Sequence, residues 1–219
     1  MSFTSSRWAD MYLATAARAV STCGDLAAVV ALTLALQARG AGGLAVAAVL
    51  LGGAVPIAVL APFTGRVVDR LDSRLLLCLT ALVQAAVCAR LAYATTTAET
   101  VALVTLLGAG LAITQPTLAA LLPSMVTRDD LPRATALGQT ANTIGMLAAP
   151  ALGGLLVGHF GVRVPLLLDA ASYLALVAAG LAIRTRRRGT RDVAGEQPVA
   201  RSAPWSLRRD PLLSPQVVL

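Results

Sequence analysis

Lysine is absent from this 219-residue chain, and histidine, cysteine and aromatic residues are scarce. The single histidine, His159, and the three cysteines, Cys23, Cys78 and Cys88, show no metal-ligand spacing, which disfavours a zinc site and a disulfide framework. Paired carboxylates, a nucleophile beside a base and a phosphate-binding loop are not found, so an enzyme is disfavoured and no cofactor is expected. Charged residues make up only 13% of the chain, too few to cover a soluble domain of this length.

Hydrophobic residues make up 57% of the chain and gather in long runs rich in Ala, Leu and Val. Each run is long enough to cross a bilayer as a helix. The expected spans are Met11–Leu36, Leu44–Phe63, Leu75–Tyr93, Val101–Val126, Ala134–Gly158 and Val164–Ile183. The pattern predicts an all-α membrane protein with six transmembrane helices in a lipid bilayer. A five-span chain is the alternative, if the fourth or sixth run does not cross.

The arginines show which side of the membrane each connection faces. They concentrate after the second and fourth runs and in the segment Arg184–Arg191, and the first ten residues add Arg7, whereas the other connections hold one arginine or none. This positive-inside pattern predicts a multi-pass protein of the cell membrane with both termini in the cytoplasm. The expected divisions are a cytoplasmic arm (1–10), a six-helix bundle (11–183), and a cytoplasmic Arg-rich linker with the start of a missing seventh helix (184–219). The net charge of +7 is explained by topology, so no nucleic-acid partner is expected.

The most charged segment inside the bundle is Thr64–Arg74, TGRVVDRLDSR, between the second and third runs. The residues at motif positions are Gly65, Asp69, Arg70 and Arg74. Their spacing resembles the motif G-x-x-x-D-R-x-G-R-[RK] of the major facilitator superfamily, although Asp72 replaces the second Gly and Leu75 replaces a basic residue. In that family the Asp of this loop steadies one state of the alternating-access cycle, so the resemblance implies that Asp69 belongs to a conformational gate. A simple positive-inside anchor is the alternative interpretation.

A second motif lies in the fifth run, which reads GMLAAPALGG. The matching residues are Gly145, Pro150, Gly153 and Gly154. They resemble the fifth-helix motif of drug–proton antiporters of the same superfamily, with Ala149 in place of one Gly. Small residues let membrane helices approach closely, and a proline removes one helical hydrogen bond. Generic small-residue packing would also explain this pattern.

A third resemblance covers Gln115–Leu137 and points to the branch that includes the enterobactin exporter. The matching residues there are Pro116, Pro123, Asp130, Leu131 and Ala134, and the first run adds Ser21, Gly24 and Asp25. The branch implies efflux of small hydrophobic or amphipathic compounds. The fourth run lacks the Arg that many proton-coupled relatives carry there, so coupling by that route is in doubt and would move to Arg18 or Asp25, or be absent.

Polar residues within the apolar runs are the candidates for contact with a substrate or a proton, because such residues are costly in a membrane. The candidates are Asp25, Arg18, Gln115, Gln139 and Asn142. A proton gradient is a candidate driving force. Arg90 is expected to reach towards an interface, and Asp169 lies close enough to a helix start to act as an N-terminal charge.

The resemblance spans six helices, which is one half of a major facilitator fold built as two three-helix repeats. We therefore expect the N-terminal half, or a truncated form, of a small-molecule transporter that requires a C-terminal half or a second copy. A membrane remnant or scaffold without transport is the alternative.

Overall fold

A computed structural model describes residues 7–70, 72–121 and 125–182, and these residues form six α-helices and no strand. The helices are α1 (Trp8–Ala38), α2 (Gly43–Arg70), α3 (Ser73–Leu91), α4 (Thr97–Leu121), α5 (Leu131–Phe160) and α6 (Arg163–Ala182). All six are long and apolar enough to cross a membrane, which confirms the predicted all-α membrane class and the six spans. The five-span alternative is wrong. Some predicted features lie outside the described residues: most of the arm, the linker, Pro123 and Ile183.

Helix α2 is longer than the apolar run that predicts it. It continues through Pro56 and Pro62 and ends at Arg70, so most of the charged segment is a helix end and not a loop. At 1.5 Å per residue, 28 residues reach about 42 Å, whereas the hydrocarbon core is about 30 Å thick. The final turns can therefore extend beyond the hydrocarbon, where arginines are hydrated.

The start of α3 is fixed by Asp72, at the position where the motif has a glycine. Its carboxylate accepts hydrogen bonds from the backbone N–H groups of Arg74 (2.9 Å) and Leu75 (3.2 Å). This is an N-cap, which satisfies two of the free N–H groups in the first turn. The guanidinium of Arg74 donates to the carbonyl of Leu181 at the end of α6. The beginning of α3 is thereby tied to the end of α6.

The helix packing repeats after three helices. The main contacts are α1 with α5, α2 with α4, α1 with α6, α3 with α4, and α3 with α6. If α1 is exchanged with α4, α2 with α5, and α3 with α6, the same set of contacts results. The bundle therefore consists of two three-helix repeats, as expected for one half of a major facilitator fold.

Glycines permit close backbone contact in two of these packings. A Cβ added to Gly108 of α4 would lie 2.4 Å from the carbonyl oxygen of Gly53 in α2. A Cβ added to Gly145 of α5 would lie 2.8 Å from the carbonyl oxygen of Ala19 in α1. These contacts are related by the three-helix repeat, and both bring backbones together in the way small residues allow.

The interior is layered along the helix axes. One buried apolar cluster includes Met11, Leu77 and Leu176, and a second includes Leu36 and Leu166 towards the opposite end. Polar side chains occupy the level between the two clusters. Because this level lies midway along membrane-spanning helices, it is where buried polar groups are costly and commonly functional.

Candidate functional site

A cavity of about 460 Å³ lies between α1, α4 and α5 and contains most of the predicted substrate residues. Arg18 of α1, Gln115 of α4, and Gln139 and Asn142 of α5 all line it. The remaining walls consist of two threonines, Thr15 and Thr135, and of small or apolar residues, which are Ala14, Leu118, Ala119, Leu131 and Gly138. The volume falls within the usual range for small-molecule sites. We refer to it as the α1–α4–α5 cavity.

Hydrogen bonds connect the polar side chains of the α1–α4–α5 cavity across helices. Arg18 Nη2 donates to Gln115 Oε1 (2.9 Å), which joins α1 to α4. The hydroxyl of Thr22 donates to Asn142 Oδ1 (2.9 Å), which joins α1 to α5. Gln115 and Gln139 remain exposed although they lie within membrane-spanning helices, because they face the cavity. They are therefore available to a bound molecule.

The fifth predicted residue, Asp25, does not line this cavity and belongs to a polar network in the bundle interior. The hydroxyl of Tyr173 in α6 donates to Asp25 Oδ1 (2.5 Å) and accepts from Gln84 Nε2 of α3 (3.2 Å). Gln84 Oε1 in turn accepts from the hydroxyl of Thr114 in α4 (2.8 Å). The network crosses four helices, so the position of Asp25 is coupled to α3, α4 and α6.

A second buried carboxylate, Asp169 of α6, lies near this network. Its oxygens accept hydrogen bonds from the thiol of Cys88 (3.1 Å) and the hydroxyl of Ser172 (3.3 Å). A Cβ on Gly24 of α1 would lie 2.4 Å from Asp169 Oδ1, so the absence of a side chain there makes room for the carboxylate. Asp169 is 1% exposed and lies in the second turn of α6, so it is an interior residue and not a charge at the helix start.

Asp25 of α1 and Asp169 of α6 lie on helices that pack against each other, and Arg18 lies two turns before Asp25 on α1. These three residues are two carboxylic acids and one guanidinium within membrane-spanning helices. We call the set Asp25, Gln84, Thr114, Asp169 and Tyr173 the polar layer. Arg18 lines the α1–α4–α5 cavity and lies two turns before Asp25 on α1, so the polar layer is next to that cavity.

The residues predicted as a conformational gate are distributed over two helices. Gly65 lies in α2 and Arg74 in α3, on either side of the short connection. The side chains of Asp69 and Arg70 lie outside the described part of the chain. Among the described residues, the side chain of Arg74 donates to the carbonyl of Leu181, and its backbone N–H donates to Asp72.

The residues of the fifth-helix motif divide between two faces of α5. Gly145 and Gly153 are buried against Ala19 and Ala27 of α1. Pro150 is exposed, and a Cβ on Gly154 would meet no atom within 4 Å. Gly145 and Gly153 therefore allow close helix contact within the bundle, whereas Pro150 and Gly154 lie on the outer face of α5.

Sequence reasoning missed the participation of Gln84, Tyr173 and Cys88. Gln84 carried a usable signal, because it is a lone amide within the apolar run Leu75–Tyr93. Tyr173 and Cys88 carried none, because aromatic and thiol side chains are common in apolar cores. Arg90 lies in the last turn of α3 and pairs with Glu99 of α4, and its reach towards a membrane interface stays a prediction.

Comparison with known proteins agrees with this geometry. No curated protein matches the chain. Residues 14–218 match the Major Facilitator Superfamily, and this range contains the α1–α4–α5 cavity and the polar layer. The six apolar helices and this match together show that the chain is a multi-pass membrane protein of the transporter class, and that it belongs to the Major Facilitator Superfamily.

Proposed function

We propose that this transporter exports small hydrophobic or amphipathic compounds, and that the α1–α4–α5 cavity forms part of the path. One observation carries the proposal: a guanidinium and three amide side chains from three helices converge on one cavity whose other walls are small or apolar apart from two threonines. Apolar walls accept a hydrophobic body, and a few placed polar groups orient it. A resemblance to the enterobactin-exporter branch, on Pro116, Asp130 and Leu131, supports the direction of transport.

The cavity chemistry narrows the compounds that fit. Arg18 is the only charged residue among the described residues that line it, and three amide side chains accompany it. A neutral or anionic amphiphile with hydrogen-bonding groups would be favoured, because a cationic one would meet the guanidinium without a facing acid. Asp25 lies behind Arg18 in the polar layer and not in the wall.

The proposed topology places this cavity on the cytoplasmic side. It lies near the start of α1, the end of α4 and the start of α5. The connections on that side carry most arginines, which supports a cytoplasmic location in a cell membrane. A cavity that opens there can load a compound from the cytoplasm for export.

Coupling to a proton gradient is assigned to Asp25, with Arg18 as its partner. Helix α4 of the described chain carries no basic residue, so an Arg of the fourth helix cannot supply this function here. Asp25 is hydrogen-bonded to Tyr173, and Arg18 lies two turns before it on α1. Loss of a proton by Asp25 would strengthen its attraction to Arg18 and change the cavity wall.

Alternating access requires a second body that moves against the six helices. We propose that a C-terminal half or a second copy supplies it, and that it contacts the outer faces of α2 and α5. Leu51, Val55 and Val59 of α2 and Leu147 and Leu155 of α5 are exposed apolar residues on those helices. In this proposal Asp69, Arg70, Gly65 and Arg74 steady one of the two states.

The test measures accumulation of the fluorescent anion 8-anilinonaphthalene-1-sulfonate in inside-out membrane vesicles from cells that express the chain. We expect the dye to accumulate when the vesicle interior is made more acidic than the outside. Accumulation should fall at least about tenfold in R18Q/Q115L, and it should be lost in D25N. Arg128 lies on the exposed α4–α5 connection outside the cavity, so R128Q is the matched control.

Two outcomes would contradict export through this cavity, and a third would contradict proton coupling alone. Equal accumulation by wild type and R18Q/Q115L would remove the cavity from the path. No accumulation by the chain, either alone or after co-expression with the last six helices of a related exporter, would favour a non-transporting scaffold. Accumulation that survives a protonophore would refute proton coupling while leaving export intact.

A further inference from the structure

A second cavity, of about 390 Å³, lies at the opposite end of the bundle from the α1–α4–α5 cavity. The ends of α1 and α3, the start of α6 and the α5–α6 connection form it. We call it the rim pocket. Neither the proposed transport path nor any of the sequence motifs uses it.

The rim pocket is apolar inside and basic at its opening. Leu32 and Leu36 of α1 and Leu166 of α6 are buried residues of its wall. Arg39, which follows α1, and Arg163, the first residue of α6, are exposed and also line it. None of the described residues that line the pocket is acidic, so its charge is that of two guanidinium groups.

Both arginines are held beside the pocket by groups that leave their charge in place. Arg39 Nη1 donates to the carbonyl oxygen of Thr95 (3.4 Å). The guanidinium of Arg163 lies 5.4 Å from the centre of the Tyr93 ring, in a cation–π arrangement. The nearby acid, Glu99, is occupied by Arg90 and by the backbone N–H of Thr95.

The helix ends and Tyr93 indicate that this end of the bundle lies near the membrane surface. Tyr93 and Phe160 line the pocket and are 54% and 67% exposed. Tyr is enriched at the level of lipid headgroups, and Tyr93 follows the end of α3 while Phe160 ends α5. The two arginines therefore lie where a lipid phosphate would be, and the buried leucines lie deeper.

We propose that the rim pocket binds one anionic glycerophospholipid, with its phosphate between Arg39 and Arg163 and the start of an acyl chain along Leu32, Leu36 and Leu166. Two guanidinium groups match phosphate oxygens by hydrogen bonding as well as by charge. A zwitterionic lipid fits less well, because the lining has no carboxylate for its amine. The bound lipid would hold the ends of α1, α3 and α6 together.

The experiment uses the full 219-residue chain, purified in detergent and examined by native mass spectrometry with phosphatidylglycerol or phosphatidylcholine of identical acyl chains. We expect wild type to retain phosphatidylglycerol at least about fivefold more than phosphatidylcholine, since one arginine near a membrane surface contributes about that factor. The R39Q/R163Q variant should bring the ratio close to one, and R39K/R163K should keep it above one.

The matched control is R128Q/R133Q, which removes two arginines at the other end of the bundle and should leave the ratio unchanged. If R39Q/R163Q does not insert, the single variants replace it, and each should lose at least half of the preference. Equal retention of the two lipids by wild type, or an unchanged ratio in R39Q/R163Q, would overturn the proposal. Displacement of phosphatidylglycerol by millimolar glycerol 1-phosphate would indicate a site for a free phosphate and would overturn the lipid assignment.

Discussion

The contact between α1 and α5 at Gly145 has no room for one additional methyl group. A Cβ at this position would lie 2.8 Å from the carbonyl oxygen of Ala19. Normal carbon–oxygen contacts are about 3.3–3.6 Å, so α1 and α5 would have to separate by about 0.5 Å or more. The neighbouring atom is backbone and cannot rotate away, so we predict that G145A loosens this interface.

The size of the effect follows from two opposing contributions. Replacing Gly by Ala inside a helix stabilises it by about 1 kcal/mol through helix propensity. Overpacking a tight contact costs about 1–3 kcal/mol. Gly154 lies on the same helix, and a methyl group there would meet no atom within 4 Å, so G154A receives the first contribution without the second. G145A should therefore be less stable than G154A by about 2 kcal/mol.

Gly153 provides an intermediate case on the same helix. A Cβ there would lie 3.0 Å from the carbonyl oxygen of Ala27, which is tight but less so than at Gly145. The order of stability should therefore be G154A, then G153A, then G145A. Because the gain in helix propensity is common to the three variants, it cancels when they are compared with one another.

The assay is thermal unfolding of the full chain in detergent, followed by circular dichroism. For a chain of this size, about 2 kcal/mol corresponds to a difference of about 4–8 °C in Tm. Membrane insertion is checked first, so that only folded variants are compared. A Tm for G145A equal to or above that of G154A would refute the argument from close packing.

The other predictions concern one helix cap, one glycine contact and one buried hydrogen bond. D72A should destabilise the chain by about 1 kcal/mol through loss of the α3 N-cap, and D72N should restore most of it; equal Tm values for the two variants would contradict this. G108A should lower Tm more than G145A does, because a Cβ at Gly108 would lie 2.4 Å from the carbonyl oxygen of Gly53, and the same thermal melts compare them. Y173F removes the hydrogen-bond donor to Asp25 and should lower stability by only about 0.6 kcal/mol, because a hydrogen bond between membrane helices contributes about that much. Dye accumulation should fall at least about fivefold, and unchanged accumulation would exclude Tyr173 from the function of Asp25.

The sequence alone was sufficient for the class of protein and the number of spans. Runs such as Leu75–Tyr93 are too apolar for any other surroundings, and a helix in lipid satisfies its own backbone hydrogen bonds within one segment. The boundaries were less certain. Helix α2 extends to Arg70 because charged turns beyond the hydrocarbon can remain helical, and hydropathy does not report those turns.

Part of the candidate site was also predictable. Arg18, Gln115, Gln139 and Asn142 were identified as costly polar residues in apolar runs, and the structure places all four around one cavity. Their convergence could not be predicted, because it depends on which helices pack together. Hydropathy gives the same six spans for any arrangement of α1, α4 and α5.

The polar layer depended entirely on tertiary structure. Asp25 and Tyr173 are 148 positions apart, and a hydrogen bond between them exists only because α1 packs against α6. In the same way, Asp169 read from the sequence as a charge near a helix start, whereas the fold buries it beside Gly24 and Cys88. Local composition determined that these segments lie in a membrane, because transfer from water to lipid is a property of each segment. Which polar groups meet inside it was decided by helix packing, because a hydrogen bond requires two atoms at one place and the sequence order does not place them there.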